Sequence, residues 1–298
     1  MRRFEVEIGA QAVSGIRAGE GGTRGLVIAL HGGGYDAHYW HAADRDGGSL
    51  LSIGAAVGFE VVAIHRPGYS GSPTPGPEGL PLADQADLVF SLAARLAPHG
   101  RRPVFLVGHS MGGILAVRMA GDARGPSLGG VDVSGVPLRY PAEVEAGIAA
   151  RLEPSGAGAA KPASRSADER AAHRRSLFYG AEGTYDAELA ERSGGQPTPL
   201  SELMDAFRAP SALPPIMADI AIPVQWTIAE EERSTIGGPE MLDYIRSLLP
   251  RCPHLGLSIQ VASGHNISLH HVARAYHLRA LAFFEECRVL ASLPARGG

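Results

Sequence analysis

The chain has 298 residues, enough for one large domain or a domain carrying an insertion. Apolar residues make up 45% and charged residues 19%, which allows a substantial core, and a net charge of −4 without a long basic run argues against a nucleic-acid partner. The longest apolar stretches are strand-length, and "MRRFEVEIGAQ" has no apolar segment behind its arginines, so neither a membrane span nor a signal peptide is expected and a cytoplasmic location is. Cys252 and Cys287 read as free thiols. Only Lys161 of the 27 basic residues is a lysine, and it sits in the loop-like "GAGAAKPASRSA", which leaves Schiff-base or Ser-Lys chemistry little footing.

Short apolar, β-branched runs open the chain: "FEVEI" (4–8), "GLVIAL" (25–30) and "GFEVVAI" (58–64) read as strands. "LADQADLVFSLAARLAP" (82–98) is helical, apolar at Leu88, Leu92 and Leu96 with Val89 beside them. "PVFLVG" (103–108) is a strand, "GGILAVRMAG" (112–121) a helix and "GGVDVSGV" (129–136) a strand. From 137 to 220 the rhythm breaks into an Ala/Gly/Pro/Ser-rich piece (154–166) and three short helical patterns within 166–180, 185–195 and 199–209. Strands return at "IPVQWTIA" (222–229) and "LGLSIQVA" (255–262), with helices at 238–250 and 271–293. Strands alternating with helices imply an α/β fold, a mostly parallel sheet with helices on both faces and an antiparallel edge at the start. Residues 137–220 form too long a stretch for a structureless loop and read as a helical insertion, a cap on a core of 1–136 and 221–298.

"VFLVGHSMGGILAVRMA" (104–120) carries the strongest chemical signal. A nucleophile must be thrown clear of the backbone, near a base and near donors for an oxyanion. A sharp strand-to-helix turn does this, with Gly108 and Gly112 flanking Ser110 so that the strained turn avoids clashes, and the helix N-terminus aims its free N–H groups at the same point.

With "GHSMGG" as its elbow, the chain resembles the α/β-hydrolase superfamily from about residue 4 to 292, in the form of a capped serine hydrolase with a sheet of about eight strands. The resemblance implies an oxyanion hole made by the N–H groups of Met111 and of Gly33 in "LHGGGYDAHYW", with Gly34 in reserve. His31 of that loop reads as a brace. His265, after the last strand in "VASGHNISLHH", takes the position of the base; His270 and His271 fall at the helix start, where they are harder to orient. The acid departs from the usual aspartate: "VQWTIAEEERST" puts Ala229 on the glycine position and Glu232 on the acid position, with Glu230 second and Asp132 third.

"HRPGYSGSP" (65–73) resembles the family's Asp-x-Pro-Gly-x-Gly-x-Ser segment with His65 for the aspartate, and reads as structural. Tyr35, Trp40, Tyr69, Phe178, Tyr179, Tyr185 and Phe207 are candidates for an apolar substrate wall. No metal-ligand spacing and no dinucleotide fingerprint appears, so no metal and no cofactor is expected. The expected function is hydrolysis of a carboxylic ester or thioester of a small, moderately apolar molecule through an acyl-enzyme. Acyl transfer, cyclisation or C–C bond hydrolysis on the same residues is the alternative, and a ligand-binding protein on a hydrolase scaffold is the rival of another class. The partner expected is a small acyl substrate, with neither nucleic acid nor membrane; oligomeric state is not legible.

Overall fold

The computed structural model describes residues 1–42, 44, 47–74, 76–98, 102–152 and 166–293. Its centre is an eight-stranded sheet of β1 (Arg2–Ile8), β2 (Gln11–Ala18), β3 (Leu26–Leu30), β4 (Glu60–Ile64), β5 (Val104–His109), β6 (Gly130–Ser134), β7 (Val224–Glu231) and β8 (Leu255–Gly264), in the order β1-β2-β4-β3-β5-β6-β7-β8. The β1–β2 and β2–β4 pairs are antiparallel, and all others are parallel. Helices α1 (Leu50–Ala56), α2 (Leu82–Leu96), α3 (Met111–Ala120), α8 (Pro239–Leu248) and α9 (Ala273–Ser292) cover the sheet.

The continuous apolar runs of β3, β4 and β5 are what a strand covered on both faces requires. Side chains alternate across the sheet, so Leu26, Ile28, Leu30, Val62, Ile64 and Leu106 join one core with α2, α3 and α8, whereas Val27, Ala29, Val61, Ala63, Phe105 and Val107 join a second with α1 and α9. β2 was not read from the sequence: "QAVSGIRA" has Val13, Gly15 and Ile16 buried without clear alternation, and it gains strand structure by pairing with β1 on one side and β4 on the other. β7 runs two residues past the expected end because a register shift between Ala229 and Glu231 lets Glu231 still pair with Gly264.

Between β6 and β7 lie α4 (Ala142–Leu152), α5 (Ala167–Phe178), α6 (Ala187–Arg192) and α7 (Leu200–Ala218). Among the described residues this stretch holds no named strand, only an isolated bridge from Tyr185 to His270. Most of the Ala/Gly/Pro/Ser-rich piece, with Lys161, lies outside the described residues. α4 was missed because it buries no residue and offers no clear apolar stripe. α5 begins with a capping box, Ser166 and Glu169 each satisfying the other's backbone N–H.

α7 was expected to stop near residue 209 and continues to Ala218 through Pro210, Pro214 and Pro215. Proline removes helix hydrogen bonds, but here Ala206, Ala209, Leu213 and Met217 bury against the first core, and α7 packs on α3. The last helix of the insertion is therefore seated on the core layer. Among the described residues no helix is long and apolar enough to cross a membrane, and both cysteines are free.

Packing is tight under the β5–α3 turn, where a Cβ on Gly112 would sit inside van der Waals contact with the carbonyl oxygens of Leu30 and His31. Gly112→Ala is therefore expected to cost about 2–4 kcal/mol of stability. Gly147→Ala, in α4 with open space around it, is expected to be neutral or to stabilise by up to about 1 kcal/mol. Urea unfolding of both variants checks the contrast.

Candidate active site

Ser110 lies between β5 and α3 with φ 53° and ψ −115°, in the left-handed half of backbone space that a non-glycine residue enters only when its surroundings hold it there. Its N–H donates to the Ser134 carbonyl at 2.9 Å, and its own carbonyl accepts from Ile114 N–H at 2.9 Å, so both β6 and α3 fix the turn. The Gly33 loop closes on this point: a side chain on Gly33 would meet Met111 Cγ at 3.2 Å and Thr198 Oγ1 at 3.3 Å. Gly34, at φ 79°, accepts from Gln196 N–H at 3.1 Å. His31 is fully buried, with Nδ1 donating to the Gly32 carbonyl at 2.7 Å and Nε2 accepting from Arg66 N–H at 3.1 Å. Burial first, then Arg66, holds this ring well below the usual histidine pKa and so neutral.

His265 follows β8 directly and is 4% exposed. Its Nδ1 lies 2.8 Å and 3.0 Å from the two carboxylate oxygens of Glu232. Ser234 stands in the same group: its hydroxyl donates to Glu232 Oε1 at 2.8 Å and lies 2.8 Å from His265 Nδ1, and its N–H donates to the same oxygen at 3.0 Å. Burial alone would push the Glu232 carboxyl up, but His265 and the Ser234 donors outweigh it and hold the pKa below the ordinary value. The His265 ring lies 4.6 Å from the ring of His109, the residue before Ser110. Gly135, at φ 64°, makes room for both, since a Cβ there would meet His265 Cε1 at 2.6 Å and His109 Cε1 at 3.0 Å.

The three adjacent glutamates go three ways. Glu230 accepts from Ala262 N–H at 2.8 Å, and Glu231 holds Ala181 N–H at 2.9 Å and Arg233 at 2.8 Å. Only Glu232, turned inward beyond the strand end, reaches His265. Asp132 is buried inside β6, where Gln225 and Tyr276 each donate to one of its oxygens at 2.7 Å. Burial pushes its pKa up to about 6, against the pull of those two donors. Glu230 and Asp132, the reserve acids, are thus engaged elsewhere.

The aromatic candidates divide. Phe178 lies 5.3 Å from the His265 ring. Tyr35 accepts from Asn266 Nδ2 at 2.7 Å and lies 3.4 Å from the Tyr179 hydroxyl, so both tyrosines edge the His265 loop. The Tyr185 ring packs tilted against that of Tyr179, with centroids 4.8 Å apart. Trp40, by contrast, is fully buried in the second core, edge-on to Tyr39. Tyr69 is 1% exposed, its hydroxyl donating to Glu202 at 2.8 Å, and Phe207 is 37% exposed on α7. Trp40 was chosen for its place after the Gly33 loop, Tyr69 for the turn it shares with Pro67 and Gly68, and Phe207 for its place in the 137–220 stretch; a sequence does not say whether such an aromatic packs or lines a pocket.

Several residues of the site were not foreseen. His109 sits with Nδ1 3.3 Å from Ser134 Oγ and Nε2 3.1 Å from Asn266 Oδ1, stacked 4.8 Å from Tyr39. Its place beside Ser110, and that of Asn266 beside His265, were the available signals; Ser234, two residues past Glu232, had none. Asp36, His38 and His65 bring potential metal-ligand atoms within 4.8 Å of one another. Yet Asp36 already accepts from His38 N–H, Ser70 and Gln196, and His65 Nδ1 accepts from Ala37 N–H, which puts the proton of the neutral ring on Nε2. The donor set is spent on the protein's own hydrogen bonds and does not fit a resident cation.

Over 121 residues the chain is 30% identical to protein phosphatase methylesterase 1 of Pongo abelii, covering 40% of this chain and 30% of that protein. It is 32% identical over 147 residues to an esterase of Mycobacterium tuberculosis, covering 48% and 44% respectively. The matched region thus spans less than half the length of either relative. Among solved structures, a membrane phospholipase A described as a bacterial virulence factor superposes with a TM-score of 0.70 at 18% identity, covering 96% of this chain and 86% of that one. A thermophilic esterase from Thermogutta terrifontis gives 0.68 at 16%, covering 97% and 100%. Such identities speak for the fold alone. The family model of the alpha/beta hydrolases matches residues 27–279, from the second residue of β3 into the first half of α9, and the chain belongs to the alpha/beta hydrolase family.

Proposed function

We propose that this chain is a serine hydrolase that cleaves a carboxylic ester or thioester of a small, moderately apolar molecule through an acyl-enzyme. The observation that carries the reading is the contact of His265 Nδ1 with both oxygens of a buried Glu232, with the His265 ring 4.6 Å from that of His109, the neighbour of a serine held at positive φ. Ser110 Oγ attacks the carbonyl carbon while His265 Nε2 takes its proton. Glu232, held by the two Ser234 donors, keeps the proton on Nδ1 and balances the imidazolium charge. The N–H groups of Met111 and Gly33 meet the oxyanion, aided by the α3 N-terminus. The tetrahedral intermediate collapses, His265 protonates the leaving alcohol or thiol, and a water activated by the same ring releases the acid and restores Ser110.

Residues 137–220 serve in this reading as the cap, with α7 as its anchor on the core and Phe178 and Tyr179 as its apolar side toward the acyl group, facing Tyr35 of the core. The free thiols of Cys252 and Cys287 suit a reducing, cytoplasmic setting.

Steady-state hydrolysis of 4-nitrophenyl butyrate tests the assignment. Ser110→Ala and His265→Ala are expected to fall to background, and Glu232→Gln to lose about a thousand- to ten-thousand-fold in kcat, because the amide leaves the imidazole in the wrong tautomer. Full activity in Glu232→Gln would rule that residue out as the acid.

Asp132→Asn is expected to keep kcat while changing stability. A carboxyl whose pKa rises from 3.8 to about 6 on folding gives stability that is complete below the lower value and lost as pH climbs through the higher one. The amide keeps an acceptor for Gln225 and a donor for the Tyr276 oxygen. Asp132→Asn should therefore gain roughly 1–2 kcal/mol over wild type at pH 8 and almost nothing at pH 3. Urea unfolding at the two pH values checks it.

A further inference from the structure

Behind the oxyanion loop lies a buried ion pair that the chemistry above leaves unused. Arg66, in the turn after β4, and Glu202, in the first turn of α7, both have 0% exposed side chains. Arg66 NH1 donates to Glu202 Oε1, and NH2 to Oε2 at 3.1 Å. Gln85 of α2 bridges the pair, accepting from Arg66 NH1 at 3.1 Å and donating to Glu202 Oε1 at 2.8 Å, and Tyr69 donates to Oε2 at 2.8 Å. The other Arg66 donors face the oxyanion loop: Nε donates to the His31 carbonyl at 2.9 Å, and the backbone N–H to His31 Nε2 at 3.1 Å. His31 Nδ1 then donates to the Gly32 carbonyl at 2.7 Å. The carbonyl and ring of His31 and the carbonyl of Gly32, the two residues before Gly33, are all set through Arg66.

Two charges removed from water are costly, and apolar side chains of similar volume would hold α7 on the core at least as well. What they cannot do is orient a carbonyl. The guanidinium is a rigid planar fork, so seating its NH1 and NH2 on the Glu202 carboxylate fixes the direction in which Nε points. Glu202 rides on α7, the helix that closes the insertion. The position of the oxyanion loop is thereby tied to the seating of a helix on another part of the chain.

We propose that Arg66 and Glu202 are positioning residues for the oxyanion hole, transmitting the seating of α7 to the His31 carbonyl and so placing the Gly33 N–H. The proposal rests on the reading of Gly33 as an oxyanion donor and extends it to a coupling between the insertion and catalysis.

The test compares wild type, Arg66→Lys and Tyr69→Phe. Lysine keeps the charge but has no Nε–H to give His31, and phenylalanine removes one donor to Glu202 without leaving a buried charge unpaired. Each is assayed with 4-nitrophenyl butyrate and with a trifluoromethyl ketone, whose carbonyl takes up Ser110 Oγ as a tetrahedral hemiketal with its oxygen in the oxyanion hole. Near-UV circular dichroism gives the folded fraction. In folded Arg66→Lys, kcat is expected to fall about ten- to hundredfold, with KM near wild type, the ketone bound more weakly by the factor lost in kcat/KM, and the shape of the pH–rate profile unmoved. Tyr69→Phe should shift the same readouts in the same direction by less, and it carries the test alone should Arg66→Lys not fold. Unchanged kcat and ketone affinity in the folded variants, or a loss confined to KM, would overturn the proposal. A wild type without turnover and without a hemiketal would instead sink the Ser110 reading and this proposal with it.

Discussion

The architecture is organised around one constraint, the left-handed backbone at Ser110. A non-glycine residue at φ 53° costs free energy, of order 1–3 kcal/mol, that the surroundings must offset. Here they do so by crowding. Ser110 N–H is tied to β6, its carbonyl starts α3, and Gly112 lies against the carbonyls of Leu30 and His31 so closely that no side chain fits. β5 is bracketed by β3 and β6 in the middle of the sheet, so the strain sits where most packing resists its relief. The same crowding brings the Gly33 loop against Met111 and leaves the serine at the carboxyl end of the parallel strands.

Polar groups around that turn are arranged in hydrogen-bonded sets. Glu232, Ser234 and His265 satisfy one another; His109, Ser134, Asn266 and Tyr35 make a second set; Arg66, Glu202, Gln85, Tyr69 and His31 make a third. Buried polar groups are tolerable only when so paired. Each set also joins elements far apart in sequence: Glu232 comes from just past β7, His265 from after β8, and Glu202 from α7. Strain at the serine and saturation of its neighbours leave few degrees of freedom to the site.

Much of this was legible in the sequence because it has local signatures. The elbow announces itself by glycine spacing between a strand and a helix, the strands at 25–30, 58–64 and 103–108 by unbroken β-branched runs, and His265 by its place after the last strand. β2 and α4 were illegible because one depends on pairing to two neighbours and the other buries nothing. The run of α7 through three prolines follows from packing on α3 that propensity does not contain. Glu232 was ranked ahead of Glu230 on the resemblance alone, from its place three residues after Ala229; a charge run does not itself say which member turns inward, and that came from geometry. Trp40 and Tyr69 were placed in the pocket wall because they follow glycine-rich loops, and folding buries both. Arg66, a charged residue in a turn, gave no hint that it would be wholly buried.

The central claim is that Ser110 is an activated nucleophile, and intact-mass analysis after exposure to a fluorophosphonate tests it most directly. The account requires one adduct per chain on folded wild type, mapped by peptide sequencing to Ser110, absent from Ser110→Ala and formed far more slowly by His265→Ala. No adduct on folded wild type, or an adduct that persists in Ser110→Ala, would contradict it.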